Sequence, residues 1–206
     1  MSTQSSPVVT DRRATDLGVG ARFSLHPHCD DYVDVIVSSL AAADASRVTV
    51  RTDDVSTFVR GGEADVIRYV YEVLAAAGET RWHVVAHVLL SRGCPGEVAC
   101  ELPDDALLDR VTVPELAPTG LAASAHWALY PLDDTGGDHL AHIMTAIGTA
   151  GSAAMTSPEH FVTRLDGDLS DVLTAVAAGW LEAAHHVRHV VTHVTVSMHS
   201  PSAGAR

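Results

Sequence analysis

Lysine is absent from this 206-residue chain: all 13 basic side chains are arginine, set against 26 aspartates and glutamates. The formal net charge of −13 leaves no basic stripe to release counterions from phosphates, which argues against nucleic-acid binding. It also disfavours docking on an anionic membrane surface. Cysteine is scarce, with only Cys29, Cys94 and Cys100 and no CxxC pair. An odd number without paired spacing points to a reducing, cytoplasmic setting rather than a disulfide framework. No apolar run approaches the roughly 18 residues a membrane span needs. The first residues, Met1 to Gly18, are polar and lack the apolar core of a signal peptide.

What remains is ordinary globular material, 47% hydrophobic and 19% charged, enough for one large domain or two small ones. Internal repetition decides between them. The run His83-Val84-Val85-Ala86-His87-Val88-Leu89-Leu90-Ser91 leads on to Pro95, and His189-Val190-Val191-Thr192-His193-Val194-Thr195-Val196-Ser197 leads on to Pro201. Seven of thirteen positions are identical at an offset of 106. The half-starts agree too, Ala21 to Pro27 answering Ala125 to Pro131 at an offset of 104.

Between these ends each half carries elements of the same kind. Helical spacing of apolar residues predicts helices over Asp31 to Ala43, Ala64 to Ala77, Asp138 to Gly151 and Ser170 to His185. Gly78 is placed just past the end of the second, as a C′ residue. Inner strands are expected at Arg47 to Thr52 and Val55 to Arg60, then at Ala153 to Thr156 and Phe161 to Leu165. Leu165-Asp166-Gly167-Asp168 reads as a turn, with Asp168 capping the last helix. Each half therefore reads β-α-β-β-α-β, an α+β ferredoxin-like arrangement with an antiparallel sheet and both helices on one face. The boundaries follow: a tail over 1–17, repeats over 18–95 and 122–202, a linker over 96–121 with at most one short helical turn, and a tail over 203–206.

Strand alternation predicts which side chains leave the core for the open face. In the first repeat these are Arg22, Ser24, His26, Ser56, Phe58, Arg60, His83, His87 and Ser91. In the second they are His126, Tyr130, Arg164, His189, His193 and Ser197. Such a mixture suits a polar heteroaromatic ligand or a wet subunit interface.

Several of these residues sit in runs that resemble the YkoF family. The first half carries Arg22-Phe23-Ser24-Leu25-His26-Pro27, Asp30-Asp31, Thr52-Asp53-Asp54-Val55-Ser56-Thr57-Phe58-Val59-Arg60-Gly61 and Ser91-Arg92-Gly93-Cys94-Pro95-Gly96. The second carries Ala128-Leu129-Tyr130-Pro131, Leu165-Asp166-Gly167-Asp168 and Ser197 with Ser200-Pro201-Ser202. The resemblance implies tandem ACT-like repeats and non-enzymatic binding of thiamine or its hydroxymethylpyrimidine moiety, one site per repeat. It further implies a homodimer serving precursor uptake or salvage beside a membrane transporter. Thiamine and hydroxymethylpyrimidine would be ligands, and no cofactor is implied.

On that reading Asp53 accepts from the exocyclic amine, while Ser24, Ser56 or Thr57 serves the ring nitrogens. Phe23 or Phe58, and Trp127 or Tyr130, supply aromatic faces. Glu159 or His160 stands near the place of Asp53 in the second repeat, with Thr163 as a further candidate. His26 replaces the tyrosine that Tyr130 retains, Ser24 answers to Ala128, and Ser56 to Val162, so the two sites are chemically unequal. Other readings are an ACT-like regulatory or protein-interaction module, or a pyrimidine-processing enzyme with His83 or His87 as acid–base group. His185, His186, His189 and His193 invite a metal reading, but a strand from Val187 onward removes the common helical face; no metal site is expected.

Overall fold

The computed structural model describes residues 18–93, 111–132 and 137–203. The expectations for the tails at 1–17 and 204–206, and for the linker up to Arg110, lie outside these residues. From Val111 to Leu121 the connector carries no helix.

The first repeat consists of β1 (Gly20–Pro27), α1 (Tyr32–Ala42), β2 (Thr49–Thr52), β3 (Thr57–Arg60), α2 (Glu63–Glu79) and β4 (Val84–Arg92). The second consists of β5 (Ala122–Leu132), α3 (His139–Ala150), β6 (Met155–Glu159), β7 (Val162–Asp168), α4 (Leu169–Ala184) and β8 (His189–Met198). These are tandem ferredoxin-like repeats. Their strands join into one eight-stranded sheet in the order β2-β3-β1-β4-β8-β5-β7-β6. The seam is β4 against β8, antiparallel from Val84 opposite Met198 to Arg92 opposite Val190. The two copies of the repeated motif therefore face each other, with the equivalent Val88 and Val194 paired at the centre.

One face of this sheet is dry. Ala21, Phe23 and Leu25 of β1, Val84, Ala86 and Val88 of β4, and Val190, Val194 and Val196 of β8 are buried with the inner faces of α2 and α4. The alternate residues face away from the helices, as a period of two requires.

Local chemistry moves several boundaries from their expected places. In the first hairpin the Asp53 carboxylate accepts the Val55 and Ser56 amides, both at 2.9 Å. This side-chain turn withdraws those residues from the ladder, so β3 begins at Thr57 rather than Val55. In the second repeat the inner strands lie later than expected. Asp166 and Gly167 belong to β7, since Ser124 pairs with Asp166 and Ala122 with Asp168. Asp168 is the N-cap of α4, accepting from the Ser170 amide, and it also takes the Thr119 and Gly120 amides of the incoming connector.

Gly78 does not terminate its helix; it lies inside α2, whose C-cap is Thr80. Its role is close approach. A Cβ there would meet Leu121 Cδ1 at 2.6 Å and Met198 Sδ at 3.1 Å, so glycine lets the connector and β8 pack against α2.

Candidate functional site on the open sheet face

The open face of the first repeat is organised by Arg22. Its Nη1 donates to Asp53 Oδ2 and to Ser56 Oγ, each at 2.8 Å. The hydrogen bond from Arg22, joined by the amides of Ser56 and Val55, holds the Asp53 carboxyl well below the usual carboxylate range. Asp53 is thus committed to shaping the turn and fixing Arg22. Beside it the Phe58 ring has Arg22 Cζ at 5.8 Å and Arg60 Cζ at 5.5 Å from its centroid. Arg22, Phe58 and Arg60 border a cavity of about 330 Å³, lined also by Leu89, Ser91, Val191 and the segment Gly18 to Ala21.

The second repeat carries a larger cavity, about 520 Å³, at the equivalent position. Arg164 grips Asp166 with two bonds, Nε to Oδ2 at 2.8 Å and Nη2 to Oδ1 at 2.7 Å. Ser124 Oγ donates to Asp166 Oδ1 at 2.6 Å and accepts from Arg164 Nη2 at 3.0 Å. Ser197, His199, Ser200 and Ser202 complete the rim. The cavities lie towards opposite ends of the seam: Ser91 of the first stands opposite Val191, and Ser197 of the second opposite Val85.

The match to known proteins follows the same two-part division. The model of the YKOF-related family matches residues 18–97 and 122–203. The chain belongs to the YkoF-related family. Among its relatives is the Bacillus subtilis (strain 168) protein named "Putative HMP/thiamine-binding protein YkoF", 34% identical over 188 residues, which cover 89% of this chain and 91% of the relative.

Within this YkoF-related chain the predicted site residues separate into groups. Arg22 and Phe58 line the first cavity, and Asp53 and Ser56 are tied to it through their bonds with Arg22. Between the cavities runs a row of histidines across the central strands. His26 and His87 meet edge to face at 5.2 Å between ring centres, and His87 stacks at 6.1 Å on His193, its equivalent across the seam. His83 stacks on His28 at 4.5 Å and bonds Ser197 at 3.1 Å, while His87 bonds Thr195 at 3.0 Å. Ser24 bonds His26 at 3.0 Å. Burial first, then the neighbouring imidazoles, lowers the pKa of His26, His83 and His193. His126 is exposed on the same face opposite Arg164, Tyr130 lies exposed further along β5, and His189 sits half-buried opposite Leu132.

Four candidates lie on the other side of the sheet. Phe23 and Trp127 are 2% and 1% exposed, in the core beneath the helices. Thr57 shares the register position of Phe23, is 5% exposed and bonds Thr52. Thr163 pairs with Trp127 and so faces the helix side as well. Alternation forbids their reaching a ligand on the open face. His160 lies in the β6–β7 turn at the sheet edge.

The sequence assigns no ligand contact to Arg60, Ser91, Ser124, Arg164, Asp166 or Ser197, although they line the cavities. Alternation already gave the outward direction of Arg60, Ser91, Arg164 and Ser197. Extending the expected strand by one residue past Leu165 adds Asp166.

Among the described residues no group of three or more potential metal ligands converges, and no helix is long and apolar enough to cross a membrane.

Proposed function

We propose that this protein binds thiamine or its hydroxymethylpyrimidine moiety without transforming it, at one site per repeat, in the uptake or salvage of the vitamin's precursors. The observation that carries the reading is the pair of equivalent cavities on the open sheet face, each framed by a fixed arginine, hydroxyls and apolar backbone. A flat ring with edge donors and acceptors requires that mixture of surfaces. The name of the Bacillus subtilis relative supports the same ligand class. A cytoplasmic homodimer serving a membrane transporter completes the proposal, with the polar open face available for pairing.

An enzymatic reading would start from Ser24 with His26, or Ser197 with His83, since each is a hydroxyl–imidazole pair. A nucleophile of that kind also needs a group that orients the imidazole. Among the described residues no carboxylate bonds His26 or His83; their ring neighbours are His87 and His28. Binding alone fits the geometry better.

Ligand that binds only the native state raises its melting temperature, by the equivalent of about 2.7 kcal/mol at a hundred times Kd. Thiamine and hydroxymethylpyrimidine are expected to raise the melting temperature where unrelated pyrimidines do not. An unchanged melting temperature at millimolar ligand defeats the proposal, and product formed on incubation would replace it with an enzyme.

A further inference from the structure

Ser91 and Ser197 hold the same place in the two copies of the repeated strand, one lining each cavity, but their neighbours differ. Ser197 stands between Val85 of β4 and Ser124 of β5, and its Oγ bonds His83 at 3.1 Å. Ser91 stands between Gly20 of β1 and Val191 of β8. Neither neighbour carries a side chain that can bond a hydroxyl. Position 20 has no room for one, since a Cβ there would meet the Val59 carbonyl oxygen at 2.7 Å. The Ser91 Oγ is shut off from solvent and has no hydrogen-bond partner among the described residues.

We propose that Ser91 is the polar anchor of the first cavity, and that its unmet hydroxyl makes this cavity the tighter and more selective of the two for a pyrimidine ring. The proposal rests on the pyrimidine-binding reading above. It adds the residue that fixes the ring and the order in which the two sites fill.

A buried hydroxyl without a partner has given up water and gained nothing in return, which is the costly side of the hydrogen-bond balance. An aminopyrimidine supplies what is missing: serine can donate to a ring nitrogen or accept from the exocyclic amine. The flat body of the ring meets Leu89, Val191 and Phe58. One turn about χ1 moves a serine Oγ between staggered positions, so the hydroxyl reaches the ring edge without a backbone shift. No protein bond is broken in exchange. A ring of the same shape without edge nitrogens recovers none of this, and a site built for such a bond rejects it. The second cavity offers no such gain, because each hydroxyl lining it is already engaged: Ser124 with Asp166, Ser197 with His83, and Ser200 with Ser202. A ligand there shares or displaces existing bonds and receives only the small net worth of an exchange.

Calorimetric titration of the full chain with hydroxymethylpyrimidine, together with melting of the ligand-free protein, tests this. The expected result is two unequal sites, the tighter of which Ser91→Ala weakens by about tenfold or more. The same substitution should hold or raise the melting temperature without ligand, because it removes an unpaired buried polar atom. Ser197→Ala should lower it, because His83 loses a partner. A merely structural role for Ser91 would not combine lost affinity with undiminished stability. Unchanged binding by the Ser91→Ala variant overturns the proposal, and so does a fall in its melting temperature like that of Ser197→Ala. A phenyl analogue of the ligand binding the unaltered protein as tightly as the pyrimidine overturns it too, because the hydroxyl would then meet no ring nitrogen. Absence of binding by every pyrimidine to the unaltered protein defeats the underlying function instead.

Discussion

Arg92 and Glu63 form a buried ion pair, Nε to Oε1 at 2.9 Å, with side chains 2% and 9% exposed. The repeat offset of 106 places Met198 and Leu169 at the same two positions in the second half, both 0% exposed. One fold thus holds an ionic and an apolar solution to the same space. Removing one partner of a buried pair strands the other charge, at a cost of about 3–5 kcal/mol, whereas replacing both with apolar groups is often neutral or stabilising. Glu63→Leu alone is therefore expected to lose about that much stability in urea unfolding, and Glu63→Leu with Arg92→Met to recover most of it. A double variant as unstable as the single would show that the pair itself is required. Residue chemistry of this kind was only partly legible. Asp53 stood out as a candidate, but its commitment to Arg22 and two turn amides depends on a partner 31 positions away.

At the level of elements, the repeats solve helix-on-sheet packing with different volumes. Trp127 lies under α4, and a Cβ on Gly179 would approach its ring atoms to 2.4 Å and 2.7 Å and the Ala146 carbonyl to 3.1 Å. The corresponding residues of the first repeat are Phe23 and Val73, both buried. A larger ring below is matched by a smaller helix residue above. Gly179→Ala overpacks this contact and should destabilise by about 1–3 kcal/mol. Trp127→Phe in the same chain should restore part of the loss in denaturant unfolding, though it also gives up the indole bond to Thr192 at 2.6 Å. If the two substitutions simply added, the packing argument would be wrong. Periodicity revealed the four helices and both outer strands of each repeat because each buries one regular stripe. It misplaced the inner hairpins, where Asp53 and the β5–β7 register, rather than hydrophobic alternation, set the ends.

For the whole molecule the decisive feature is the seam. Two copies of one strand meet antiparallel around Val88 and Val194, so each repeat covers an edge the other would expose. Residues 18–93 alone are expected to self-associate, with β4 pairing to a second β4 in the register it uses with β8. Sedimentation giving a monomer at micromolar concentration would contradict this. The histidine row crosses the same region and links stability to pH. His26, His83 and His193 have folded pKa values below their usual 6.5, so the unfolded chain takes up protons first as pH falls. Stability should be flat above about 6.5 and decline through the lowered folded values. Asp168 acts in a lower window: burial disfavours its charge, but Ser170 and Thr119 hold the carboxyl at about 2, so its contribution is lost only on strong acidification. Melting curves from pH 8 to pH 5 should show the histidine decline, reduced in His193→Gln. A melting temperature that rises on acidification over that range would refute the sign.

The sequence by itself determined the doubling, the β-α-β-β-α-β order and the direction of most strand side chains, because repetition and periodicity are written locally. It also carried the family, through runs such as Thr52 to Gly61. Only the tertiary structure joined β4 to β8, since edge pairing depends on which two strands lack a neighbour. It alone placed Arg60 opposite Gly20 and Asp166 opposite Ser124, because charge in a cavity is set by cross-strand register, a relation between distant residues.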